Sequence, residues 1–143
     1  MTSQLNVDTI VDKAGSGGTN VKIGNTSTYV SDAGAATQNT VQGLVKAWAR
    51  INGTGSGVPA ADSFNVGSTT DSDTGDYEVA YTNNFSDGEY CITLGDSNNA
   101  NVASATHTRC NTSSASGHGL QVYYNGTLAD ATNVFFQVTG DLA

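Results

Sequence analysis

The sequence predicts an all-β fold, an antiparallel β-sandwich or small barrel of about seven strands with an extended N-terminal β leader. Three observations predict it. First, apolar residues recur at every second position through the best-patterned stretch, Lys46 to Thr93: Phe64 and Val66, then Tyr77, Val79 and Tyr81, then Tyr90 and Ile92. A period of two lines such residues along one face of a strand. Second, Ser, Thr, Asn and Gly make up nearly half of the chain, whereas Glu, Lys, Gln and Leu, the good helix formers, are scarce. Third, clusters of turn formers punctuate the patterned runs. So polar a composition also suits disorder, but the alternating aromatics argue against it over residues 46–140.

Residues 1–43 read as leader and linker, and residues 44–143 as the β domain. QLNVDTIVD (4–12) reads as a short strand, AGSGGTN (14–20) as a glycine turn, and VKIGN (21–25) and STYVS (27–31) as two further short strands. A leader this small and polar buries no core of its own. Its apolar residues Leu5, Val7, Ile10 and Val11 are therefore candidate interface residues, toward the main domain, another copy of the chain or a partner.

Residues 31–45 leave two readings open. Val41, Leu44, Val45 and Trp48 lie at helical spacing. Alternatively, a linker feeds a strand near Leu44, with Val45, Ala47, Ala49 and Ile51 on one face and Leu44, Lys46, Trp48 and Arg50 on the other. Trp48, the only tryptophan, is expected in the core, where Trp48→Ala would cost roughly 3–5 kcal/mol.

Strands are then expected at 63–69, 76–82 and 89–95. Residues 96–119 form a long polar loop, with VASATH (102–107) as a possible short strand inside it. GLQVYYN (119–125) and NVFFQVTGD (133–141) close the domain. Tyr123 and Phe135 point away from the main core face and are candidate interface residues. In the loop, Asn99, Asn101, His107, Arg109 and His118 are candidate recognition residues, because aromatic and amide groups among Ser and Gly make adaptable binding surfaces.

Charge excludes several partners. The formal net charge is −8, and the five basic residues form no cluster, which argues against nucleic acid and against an anionic membrane surface. No apolar run is long enough to span a bilayer, and no secretory signal is visible, so a protein made in a cytoplasm is expected. In that setting Cys91 and Cys110 are more often reduced than bridged.

The candidate chemical sites read as structural. The two cysteines and two histidines lack zinc-ligand spacing. DSDTGD (71–76) resembles the start of a calcium loop but has Thr82 where the twelfth-position Glu belongs, so it reads as an Asp/Gly turn. Asp87 and Glu89 read as exposed hairpin acids rather than a glycosidase pair. Ser113, Ser114 and Ser116 form no nucleophile elbow, and His107 and His118 read as loop residues. No cofactor, metal or catalytic residue is expected. The N-x-S/T sequons at Asn25, Asn52, Asn84, Asn111 and Asn125 are what chance supplies in such a composition.

Three blocks carry a family resemblance. LNVDTIVDKAGSGGTNVKIG resembles a leader found in tail-fibre and virion-surface proteins of tailed bacteriophages, notably marine and cyanobacterial ones. KAWARINGTG resembles that family's KAW-x-x-x-NGTG strand, and SFNVGSTTDSDTGDYEVAYTNNFSDGEYCIT resembles the segment that follows it. The blocks occur in the family's order between residues 5 and 95. The family usually carries them in the distal part of longer fibres, whereas the leader here starts at Met1, which leaves open a full tail fibre and a small stand-alone virion protein. The resemblance implies a β-rich, trimeric protein mounted on the phage virion, and the lack of catalytic motifs adds the expectation that it is not an enzyme. Its implied partners are itself, other tail or capsid proteins and a host surface glycan. By the resemblance it is expected to be a tail-fibre or spike protein or, alternatively, a capsid decoration (cement) protein.

Overall fold

The computed structural model describes residues 28–30, 37–97 and 106–143. The chain divides into two compact units, Met1–Val41 and Gln42–Ala143. In the first, β1 (Thr28–Val30) pairs antiparallel with β2 (Thr37–Asn39). The strands expected at 4–12 and 21–25, with Leu5, Val7, Ile10 and Val11, lie outside the described residues, as do Asn99 and Asn101.

The second unit is an antiparallel β-sandwich, and no helix occurs among the described residues. One sheet has the order β4 (Ala60–Phe64), β3 (Val45–Ile51), β11 (Asn133–Thr139), β7 (Cys91–Ser97). The other holds β5 (Val66–Asp73), β6 (Asp76–Tyr81), β9 (Gly117–Tyr124) and β8 (Thr106–Ser114) side by side, and the two-residue β10 (Thr127–Leu128) pairs with the end of β9. Of the two readings left open before Trp48, the strand is the one that forms, from Val45.

Alternation builds the core. Ala47, Ala49 and Ile51 of β3 and Val134, Phe136 and Val138 of β11 face inward from the first sheet. Tyr77, Val79 and Tyr81 of β6 and Leu120 and Val122 of β9 meet them from the second. Burying such side chains from water on a dry inner surface is the main force holding two sheets together. The small alanines of β3 leave room for the rings opposite. At one end Tyr81, Phe85 and Tyr90 pack together with centroids 4.6–5.9 Å apart, Tyr81 edge-on to Tyr90 and Phe85 tilted against both.

Four features depart from the sequence reading. The run 63–69 is not one strand: the chain leaves the first sheet after Phe64 and enters the second at Val66. Asn65 makes the corner with a φ of 57°, held by its side chain, which donates to the Asn83 carbonyl at 3.0 Å and accepts from the Asn83 amide at 2.7 Å. Asparagine tolerates this left-handed geometry because its short amide bonds locally. Phe64 is consequently 54% exposed rather than in the core.

Trp48 also faces outward, 37% exposed, directly opposite Phe64 on the neighbouring strand. The expected cost of Trp48→Ala therefore falls to about 1 kcal/mol, since little is lost by truncating a half-exposed side chain on a surface. Urea denaturation of the two proteins measures it.

The long loop 96–119 contains a nine-residue strand, β8, and the start of β9. The sequence THTRCNTSS shows no apolar alternation because β8 is an edge strand, held by its backbone ladder to β9. Finally, Lys46 is buried although it belongs to the mixed face. The ladder to β11 skips it, with Val138 opposite Ala47 and Thr139 opposite Val45, so Lys46 is the extra residue of a bulge. Its Nζ donates to the Leu44 carbonyl at 3.2 Å, and burial pulls the ammonium below the usual lysine range.

Candidate functional site

The outer face of the second sheet is assembled by register. Arg109 lies opposite Gln121 and His107 opposite Tyr123 across the β8–β9 ladder. Asp76 lies opposite Gln121 on the other side. Five residues that are scattered in sequence thus become cross-strand neighbours.

They are tied into one network. Arg109 donates from Nε and Nη2 to Gln121 Oε1 at 3.0 and 2.6 Å. Tyr123 donates its hydroxyl to the same oxygen at 2.9 Å. Gln121 donates its amide to Asp76 Oδ2 at 2.7 Å, and Asn111 donates to Asp76 Oδ1 at 3.3 Å. The Gln121 orientation follows from chemistry, since only its oxygen suits the guanidinium and only its NH₂ suits the carboxylate. The His107 and Tyr123 rings stack with centroids 4.8 Å apart and 2° between planes, and the Arg109 guanidinium carbon lies 5.0 Å from the Tyr123 centroid. Each of these groups is held in place before any ligand arrives, which lowers the ordering cost of binding.

Beside this network Gly117 and Gly119 carry no side chains toward the surface. A groove of about 310 Å³ lies beside Gly117, bordered by Ser68 and Thr70, Glu78 and Ala80, and Thr112 and Ser114. Hydroxyls and a carboxylate line it, beside fixed amides and a guanidinium, and such a surface hydrogen-bonds polar, hydroxyl-bearing ligands.

His118 is not part of this face. It points inward from β9, is 3% exposed, and sits edge-on to Phe136 with centroids 4.6 Å apart. Its Nδ1 shares a 2.7 Å hydrogen bond with the Tyr81 hydroxyl, while its Nε2 is buried without a partner. Burial, with no charge nearby to compensate, pushes its pKa down to about 4. The candidate recognition residues thus separate: His107 and Arg109 share the outer face, and His118 belongs to the core. His107 and His118 both stand on strands, not in a loop. The two candidate interface residues separate as well, with Tyr123 on this face and Phe135 on the outer face of the other sheet.

The acidic turns do structural work. The carboxylate of Asp73 accepts from the Thr74 amide, and Gly75, with φ 66°, makes the turn that brings Asp73 opposite Asp76. Asp87 accepts from the Glu89 amide at 2.8 Å. Among the described residues no group of three or more His, Cys, Asp and Glu is placed to hold a metal ion. A chelator is expected to leave the melting temperature unchanged in a calorimetric scan, and a fall of several degrees would point to a bound cation. Cys91 and Cys110 are exposed free thiols. Among the described residues no helix is long and apolar enough to cross a membrane.

Gln121 was not singled out by sequence reasoning, Asp76 was read only as part of an Asp/Gly turn, and Asn111 only as a chance sequon. The only signal for Gln121 is its position between the apolar residues Leu120 and Val122, which sets it on the opposite face. No protein-family model, curated protein or solved structure matches this chain.

Proposed function

We propose that this chain is a non-enzymatic structural protein of a tailed-bacteriophage virion, a tail-fibre-like surface protein that contacts the host. The three sequence blocks supply the phage setting. The pre-ordered face around Arg109, Gln121 and Asp76 carries the contact: it offers a guanidinium, amides and carboxylates beside a hydroxyl-lined groove, a combination suited to the hydroxyls of a surface saccharide. In this reading the protein is made in the host cytoplasm, needs no cofactor, and associates with itself (as a trimer, by the resemblance) and with other virion proteins. Binding of the full chain to an array of bacterial surface glycans tests it. Signal that drops at least roughly tenfold in Arg109→Ala supports the reading, and an array without signal removes host contact.

A second reading, a capsid decoration protein, is favoured by one observation. The outer face of the four-stranded sheet exposes Trp48, Phe64 and Phe135, an apolar surface suited to lying on another protein. Electron microscopy of particles labelled at the C-terminus separates the two. Label on the tail supports the fibre, and an icosahedral array supports the decoration protein.

A further inference from the structure

We infer that the outer face of the four-stranded sheet is the seat of a second copy of this chain, paired face to face about a two-fold axis. The register sets out that face as a grid. One row across the strands reads Phe64, Trp48, Gln137, Thr93, and the next reads Asp62, Arg50, Phe135, Gly95. Three large aromatics are exposed on it, Trp48 at 37%, Phe64 at 54% and Phe135 at 37%. Isolated exposed apolar residues are ordinary, but three within two adjacent rows form a patch that marks an interaction surface.

The grid also says what covers it, because the face carries both halves of a contact. The aromatic projections Phe64 and Trp48 lie toward β4. Toward β7, Gly95 has no side chain, and a shallow hollow runs over Thr93, Gly95, Phe135 and Gln137. An axis along the strands between β3 and β11 exchanges β4 with β7 and β3 with β11 and keeps each row in place. It sets Phe64 of one copy over Thr93 of the other at the hollow, Trp48 over Gln137, and Arg50 over Phe135. Each contact occurs twice, as an isologous interface requires.

Charge agrees. The chain carries −8 overall, which opposes indiscriminate self-association. On this face Arg50 and Asp62 stand opposite one another, so the patch adds no net charge to the contact. Arg50 is already oriented by donating from Nε and Nη2 to Asn133 Oδ1 at 2.9 and 2.6 Å, which holds its guanidinium for stacking on a facing ring. A trimer would need two different patches, one from each neighbour. The pairing is therefore independent of the trimer that the phage resemblance implies, and independent of the glycan contact, which lies on the other sheet.

Light scattering on the full chain across roughly the micromolar range tests the pairing, with Trp48 as its own reporter. The expected result is a doubling of mass, from one chain to two, or to six where the trimer also forms. At the same concentration midpoint Trp48 emission shifts to the blue and becomes harder to quench with acrylamide. Phe64→Asp and Phe135→Asp are each expected to raise the dissociation constant at least about tenfold, and Tyr123→Ser, on the other sheet, to leave it unchanged. Far-UV circular dichroism checks that the variants fold; should one fail to fold, the other and the wild-type Trp48 signal still decide. A single chain mass at every concentration overturns the inference, whether Trp48 is open to quencher or covered by the chain's own N-terminal residues. So does a mass that stops at three, or an association in which Trp48 stays accessible or both Asp variants behave as wild type.

Discussion

Tyr77→Ala is expected to lower the unfolding free energy by about 3–5 kcal/mol, a large share of what a domain of this size possesses. Tyr77 is fully buried between the sheets, and its hydroxyl joins two loops to β6. It lies 3.2 Å from both the Gly53 carbonyl and Asp130 Oδ1, which share its proton, and it accepts from the Ala131 amide at 3.4 Å. Asp130 Oδ1 in turn accepts from the Gly75 amide at 2.7 Å, so one carboxylate fixes the β5–β6 turn as well. Gly53 is part of the same fit, since a Cβ there would stand 2.5 Å from the Tyr77 hydroxyl oxygen. Truncation removes the ring and leaves a cavity. Tyr77→Phe removes only the hydroxyl and is expected to cost about 1–2 kcal/mol. Urea unfolding with an unchanged m-value measures both losses. A loss under about 1 kcal/mol for Tyr77→Ala would show that the two sheets are not held together around this ring.

The second large effect is a loss of stability on acidification. His118 ordinarily titrates at 6.5, and burial lowers its folded pKa to about 4. The unfolded chain then binds more protons between those two values, so stability rises with pH through that window. The full stability is present above pH 6.5, declines as the pH falls toward 4, and the His118 contribution is exhausted below that. The expected loss is about 3 kcal/mol. His118→Gln keeps a polar partner for the Tyr81 hydroxyl and has no titratable ring. It is expected to flatten the stability profile between pH 6.5 and 4 relative to wild type. The carboxylates are common to both proteins and cancel in the difference. Parallel profiles of the two proteins, measured by chemical denaturation, would rule out His118 as the titrating group.

The strands that were legible are those with one wet and one dry face. Tyr77, Val79 and Tyr81, then Leu120 and Val122, then Val134, Phe136 and Val138 alternate because a half-buried strand imposes a period of two on its side chains. The same logic separated Ala47, Ala49 and Ile51 from Trp48 and Arg50 before the direction of either face was known. Where burial is not the organising force, the pattern goes silent. β8 carries Thr, His, Arg and Ser because its order comes from backbone hydrogen bonds to β9. Phe64 and Val66 keep their alternation across a corner at which the chain changes sheets, so two short strands read as one.

The candidate face shows the same division. His107 and Arg109 were visible as residue types capable of recognition, but Gln121 and Asp76 join them only through register. His118 resembled a loop residue because it stands between Gly117 and Gly119, yet alternation turns the glycines outward and the imidazole into the core.

By itself, then, the sequence determined the all-β class, most of the core and the existence of an outward-facing side chain set on each alternating strand, because period and turn chemistry are local properties. The tertiary structure alone decided which strands are neighbours, that Asn65 divides one run between two sheets, and that Trp48 looks outward while His118 looks inward. Those outcomes depend on pairing between residues distant along the chain, and an alternating pattern specifies two faces without saying which of them another sheet will cover.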